Sequence, residues 1–150
     1  MNPLSREELE RNAAYQLWRA SNAWQRMVRR SLADLDLTHV QFVLLASAEL
    51  VGMDGEMATQ RRICRFADVD ENMTSQVMKS LIDKGYVRRT PHPDDARAWQ
   101  VVLTDEGREL LARARTVLRP AKEAFLRPIQ GRESELSDLL RQLADQPEDS

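Results

Sequence analysis

The chain has 150 residues, 42% of them apolar and 31% charged, and a formal charge of −2. That length fits one domain, or one small domain with helical extensions, and the apolar share is enough for a real core. A single cysteine and two histidines without an HxxxH or HExxH partner exclude an intrachain disulfide and a cysteine-based metal cluster.

No run approaches the roughly 18 uninterrupted apolar residues of a membrane span. Residues 1 to 30 are charged throughout, unlike a signal peptide. The expectation is a soluble, cytoplasmic protein without a membrane partner. Net charge does not announce a nucleic-acid binder, but its distribution is uneven. Between Ala58 and Arg97 there are eight Lys/Arg and six Asp/Glu, so an otherwise acidic chain has a mildly basic middle.

In chain order, Ser5 to Leu32 reads as one long helix. Leu9, Ala13, Leu17, Ala20, Trp24, Met27 and Ser31 recur at steps of three or four. Tyr15, Trp18 and Val28 lie off that stripe, which suggests packing on two sides. Thr38 opens a second helix to about Leu50, with Gln41 at capping-box spacing and Leu37 and Phe42 at staple spacing. Gly52 to Gly55 is expected to break the chain. Thr59 caps a third helix through about Ala67, with Ile63 and either Phe66 or Ala67 inward and Arg61, Arg62 and Arg65 outward.

Asp68 and Val69 form a turn, and Asp70 begins a fourth helix that Gly85 ends. Val77, Met78, Leu81 and Ile82 supply its buried side. Asn72, Thr74, Ser75, Gln76 and Lys79 are expected on its open side. Two helices joined by so short a turn, the second with a polar front, form a helix-turn-helix pattern. Tyr86–Thr90 and Ala98–Leu103 read as paired strands with a Pro-rich, acidic loop between them. Thr104 caps a fifth helix that Pro120 and Pro128 bend or interrupt. A last amphipathic helix runs from about Glu133 to Ala144, with Leu136, Leu139, Leu140 and Leu143 in register.

From LTHVQFVLL, through ATQRRICRFADVDENMTSQVMKSLIDKGYVRR, to PHPDDARAWQVVLTDEG, the chain resembles the MarR family of winged helix-turn-helix transcriptional regulators. The KGYVRR helix end, the DDARA wing tip and the LTDEG helix entry are the most specific pieces. The likeness spans nearly the whole chain. It implies a mainly α fold with a small β-wing. It also implies a homodimer whose terminal helices (5–34 and 105–146) interlock, with a DNA-binding region at 36–104. Two such regions would face one palindromic double-stranded DNA operator, and no cofactor is implied. Many members repress transcription and release DNA when a small, often phenolic, ligand binds. The chain departs from the pattern at Asp68, where Gly is common, and at Met73 and Gln76 in the fourth helix.

On this reading the fourth helix enters the major groove, where every base pair presents a distinct pattern. The Gln76 amide can pair with adenine, while Asn72, Thr74 and Ser75 reach base edges or phosphates, and Lys79 meets a phosphate. The resemblance puts Arg97 in the minor groove, held by an ion pair from Asp95. Arg62, Arg88 and Arg89 would contact phosphates. Trp18, Trp24, Met27, His39 and Phe42 either line a ligand cavity between the first two helices and the winged region or are plain core. Cys64 is either a redox-sensing thiol or a buried small hydrophobe. The remaining alternative is a protein-interaction module that keeps the winged fold without binding DNA. No phosphate loop, GxSxG or clustered metal-ligand motif supports an enzyme.

Overall fold

The computed structural model describes residues 5–147; the domain expected over 1–150 therefore has its first four and last three residues outside the described part. Seven helices and one hairpin follow in order: α1 (Arg6–Glu10), α2 (Ala13–Leu32), α3 (His39–Met53), α4 (Gln60–Ala67), α5 (Glu71–Asp83), β1 (Val87–Pro91), β2 (Trp99–Leu103), α6 (Asp105–Leu126) and α7 (Glu133–Ala144). Short 3-10 turns lie at Ala33–Leu35 and Arg127–Ile129.

Side-chain caps set most of the helix starts. Thr38 and Gln41 form a reciprocal capping box at the head of α3, and Thr59, Asp70 and Thr104 each accept a backbone N–H at the heads of α4, α5 and α6. Asp68 adopts the left-handed conformation (φ 52°) that the helix-turn-helix turn needs, and aspartate tolerates it better than most residues.

Four features of the helices differ from the sequence expectation. The first long helix is two: Asn12 accepts from the Tyr15 N–H and restarts the chain as α2. The buried row of α2 is Val28 and Leu32, and Leu17 of the expected stripe is exposed. Helix α3 passes through Gly52 to Met53 rather than stopping before it. Helix α6 runs unbroken through Pro120, whose face is solvent-exposed. In α4, Ala67 is half-buried and Phe66 points outward.

The core joins Val28 and Leu32 of α2, Leu44, Leu45, Ala48 and Val51 of α3, Ile63 of α4, Met78 and Leu81 of α5, Val87, Val101 and Leu103 of the hairpin, and Leu110, Leu111 and Ala114 of α6. Burying such side chains contributes about 1.5–3 kcal/mol each before entropy is charged. β1 and β2 pair antiparallel, from Val87 opposite Leu103 to Pro91 opposite Trp99. The Val101 N–H also donates to the Ala58 carbonyl (2.8 Å), and Thr59 bridges Gln100, so the chain entering α4 is tied to the wing.

The two sequence pieces KGY and LTDEG meet in space. The Thr104 N–H donates to the Tyr86 carbonyl (3.0 Å) and the Thr104 hydroxyl to the Gly85 carbonyl (2.6 Å). Gly107, buried in the first turn of α6, packs so closely that a Cβ there would lie 2.0 Å from the Tyr86 oxygen. The opposing atom is backbone and cannot swing away. Gly107→Ala is therefore expected to destabilise the fold by about 2 kcal/mol despite alanine's better helix propensity. A urea midpoint equal to wild type would disprove the close approach.

Candidate nucleic-acid interface

One face of α5 and the hairpin enclose a concave groove of about 940 Å³. Ser75 and Lys79 of α5, Gln60 and Arg61 of α4, and Arg89, Asp95, Arg97 and Trp99 of the wing line it. Asn72, Ser75, Gln76 and Lys79 recur at three- and four-residue steps, so they share the outward face of the helix, and all four are exposed. An exposed helix with this polar row beside a hairpin rimmed by arginines can enter a major groove while the wing reaches along the backbone.

Thr74 is a correction. It is fully buried (0% exposed), and its hydroxyl donates to the Asp70 carbonyl at 2.9 Å. It stands four residues before Met78 and seven before Leu81, the row that packs into the core, so it sits buried at the base of the groove and not on the open face. The same spacing was present in the sequence.

The wing also sorts the arginines. Arg88 and Arg89 are adjacent on a strand, so their side chains leave on opposite faces, and only Arg89 lines the groove. Arg62 is engaged within the chain, donating to the Met57 carbonyl (3.0 Å) and pairing with Glu56. At the tip, Asp95 does not pair with the Arg97 guanidinium among the described residues. Its carboxylate instead accepts the Arg97 backbone N–H (2.9 Å) and its carbonyl accepts the Ala98 N–H (3.1 Å). The acid shapes the turn, and the exposed Arg97 guanidinium has no hydrogen-bond or ion-pair partner among the described residues.

Trp99 and Gln60 are among the groove residues that the sequence reading did not assign to DNA. Trp99 is 48% exposed although its strand register suggested burial alongside Val101 and Leu103. Gln60 joins the wing to α5: Arg89 donates to its Oε1 (2.7 Å), and its Nε2 donates to the Ser75 hydroxyl (2.8 Å). Nothing in the local sequence marks that bridge.

No single groove is lined by all five residues considered for a ligand cavity. Trp18 is 65% exposed. Trp24 stacks edge-on against Phe125 of α6 (5.4 Å between centroids), and Met27 lines a shallow recess beside the same phenylalanine. Phe42 packs against the core. His39 alone lines a second groove of about 960 Å³, between the end of α2, the head of α3 and the helix-turn-helix turn. Arg29 and Lys84 are cationic members of that groove, and Val43, Val69 and Met73 are apolar ones. Burial holds the His39 imidazolium below its usual pKa, so the neutral ring is favoured near neutral pH. Cys64 is buried, and its thiol donates to the Val69 carbonyl at 2.8 Å, as a small hydrophobe with a local partner would.

The capped helix pair, the polar outward row of α5 and the arginine-bearing hairpin define a winged helix DNA-binding protein. A family model described as a winged helix DNA-binding domain matches residues 37–107. The chain is 37% identical over 123 residues to the uncharacterized HTH-type transcriptional regulator YdcH of Bacillus subtilis, covering 82% of this chain and 84% of that one. It is 30% identical over 82 residues to the multiple antibiotic resistance protein MarR of Salmonella typhimurium, covering 55% and 54% of the two chains. Among solved structures it is similar to the transcriptional repressor CouR bound to a 23-mer DNA duplex. There the TM-score is 0.75 and the identity 28%, covering 95% of this chain and 97% of that one. The chain belongs to the MarR family: it is a DNA-binding transcriptional regulator and not an enzyme.

Proposed function

We propose that the protein acts as a homodimer that represses transcription from a palindromic operator and lets go when a small aromatic, anionic ligand binds. The DNA contacts in this reading are Asn72, Ser75, Gln76 and Lys79 from α5 and Arg89 and Arg97 from the wing. The similarity to a DNA-bound repressor supports the repressor role. The dimer is supported by α7, a twelve-residue amphipathic helix with no buried residue whose Leu139, Leu140 and Leu143 are all exposed. Such a face needs a partner.

The observation that carries the ligand half is the composition of the groove at His39. One wall is Met73 of α5 with Asp68 and Val69 of the turn; the other is Gln25 and Arg29 of α2. A ligand wedged there would touch the DNA-reading helix and the terminal scaffold at once. Arg29 would meet its charge, His39 its polar edge, and Val43 and Met73 its ring, while Lys84 is already paired with Asp36 of the same groove. The volume lies within the roughly 300–1,000 Å³ of small-molecule sites.

Aromatic carboxylates titrated into the protein–DNA complex, read by fluorescence anisotropy, test this. At least one is expected to release the DNA. His39→Ala should raise its half-release concentration about threefold to tenfold, the worth of one hydrogen bond, while DNA affinity stays unchanged. Retention of DNA against the whole panel would refute the ligand half.

A further inference from the structure

We propose that Gln60 is a positioning residue that locks the wing to the DNA-reading helix and sets Ser75 as a hydrogen-bond donor toward DNA. Gln60 is the first residue of α4, half-buried in the floor of the groove, and its backbone is fixed by the Thr59 cap. Its amide has one face that accepts and one that donates. Arg89 brings its Nη2 to 2.7 Å from Oε1, and Ser75 brings its hydroxyl oxygen to 2.8 Å from Nε2.

The orientation of that amide follows from its neighbours. A guanidinium has donors and no acceptor, so only the amide oxygen can face Arg89. The amide nitrogen is thereby committed to Ser75. A serine oxygen that accepts from Gln60 keeps its own O–H free, and the open side of that hydroxyl faces the groove. Ser75 is thus biased to donate. The acceptors its free O–H suits are a phosphate oxygen, guanine N7 or O6, adenine N7 or thymine O4, and with one lone pair already taken by Gln60 these are favoured over the amino groups of cytosine or adenine.

Arg89 is affected in the complementary way. One of its N–H groups is held by Gln60, which fixes the fork, and the others stay available to a phosphate. One side chain therefore spans β1, α4 and α5, three elements that otherwise meet through separate contacts. Moving the wing drags Ser75, and moving α5 drags Arg89. Reading by helix and wing becomes one event rather than two independent ones.

The inference rests on the proposed contact of α5 and the wing with DNA, and the experiment separates the two. The probe is a duplex selected by the full-length wild-type chain from random DNA, with Arg97→Ala as the control for the contact itself. Gln60→Met keeps length and helix propensity but removes both bonds, and should weaken specific binding about tenfold. In the Ser75→Ala background that loss should shrink, because the part that acts through Ser75 is already gone and only the part that acts through Arg89 remains. Gln60→Glu presents only acceptors, keeps Arg89 and takes the Ser75 proton. It should change base preference at the position under Ser75 while the rest of the selected site persists. Fully additive losses in the double variant would mean that Gln60 does not act through Ser75. That result, or an unaltered preference in Gln60→Glu, would overturn the proposal. Loss of binding by Arg97→Ala alongside a neutral Gln60→Met would leave the DNA contact standing and remove this role.

Discussion

Arg97→Ala is expected to weaken binding to a selected operator about a hundredfold while the proposed dimer persists. The side chain is exposed at the wing tip and has no ion pair among the described residues, so its removal should not unsettle the fold. A hydrogen bond to a charged group contributes about 1.5–3 kcal/mol, and in a dimer both wings would lose one. The hairpin sets the backbone of Arg97 through the Asp95 carboxylate and carbonyl, so the tip is already shaped when DNA arrives. A minor groove is read by width and negative potential, and an arginine is the side chain best suited to both. Lowered salt should recover part of the loss, since the missing group is cationic. Near-wild-type affinity in a gel-shift titration would remove Arg97 from the interface.

Leu139→Glu combined with Leu143→Glu is expected to turn the proposed dimer into a monomer and abolish operator binding with it. The two leucines lie four residues apart on α7, are 53% and 55% exposed, and have no covering element within the described chain. Helix propensity is little changed by glutamate, so α7 itself should survive. Burying a leucine contributes about 1.5–3 kcal/mol, and a two-fold interface would contain each one twice. The dissociation constant of the dimer should rise by well over about a hundredfold. Sedimentation at micromolar concentration would show it, and circular dichroism would confirm that the winged region remains folded. A variant that stays dimeric would place the interface elsewhere.

What was legible in the sequence was mostly local. Caps at Thr38, Thr59, Asp70 and Thr104 are short-range chemistry, and each starts a helix where expected. The Asp68 turn and the hairpin pairing belong to the same kind. The misreadings came from features that compete over a few residues. Asn12 caps a new helix inside a stretch whose periodicity continues across it, and the periodicity hid the break. Gly52 and Pro120 lie where the helix tolerates them, so neither acts as a stop. Thr74 was judged by its polar chemistry when its row, shared with Met78 and Leu81, decided its side. Gln60 and the groove at His39 are assembled from α4, α5, β1 and α2, and no single segment carries their signal.

The central claim is that two copies of this winged unit read one symmetric DNA site. Selection of bound duplexes from a random pool by the full-length chain at physiological salt tests it most directly. The account predicts enrichment of an inverted repeat whose half-sites lie about one helical turn, roughly 10 base pairs, apart on one face of the duplex. A pool that shows no enriched sequence, or a single half-site without its inverted partner, would contradict it.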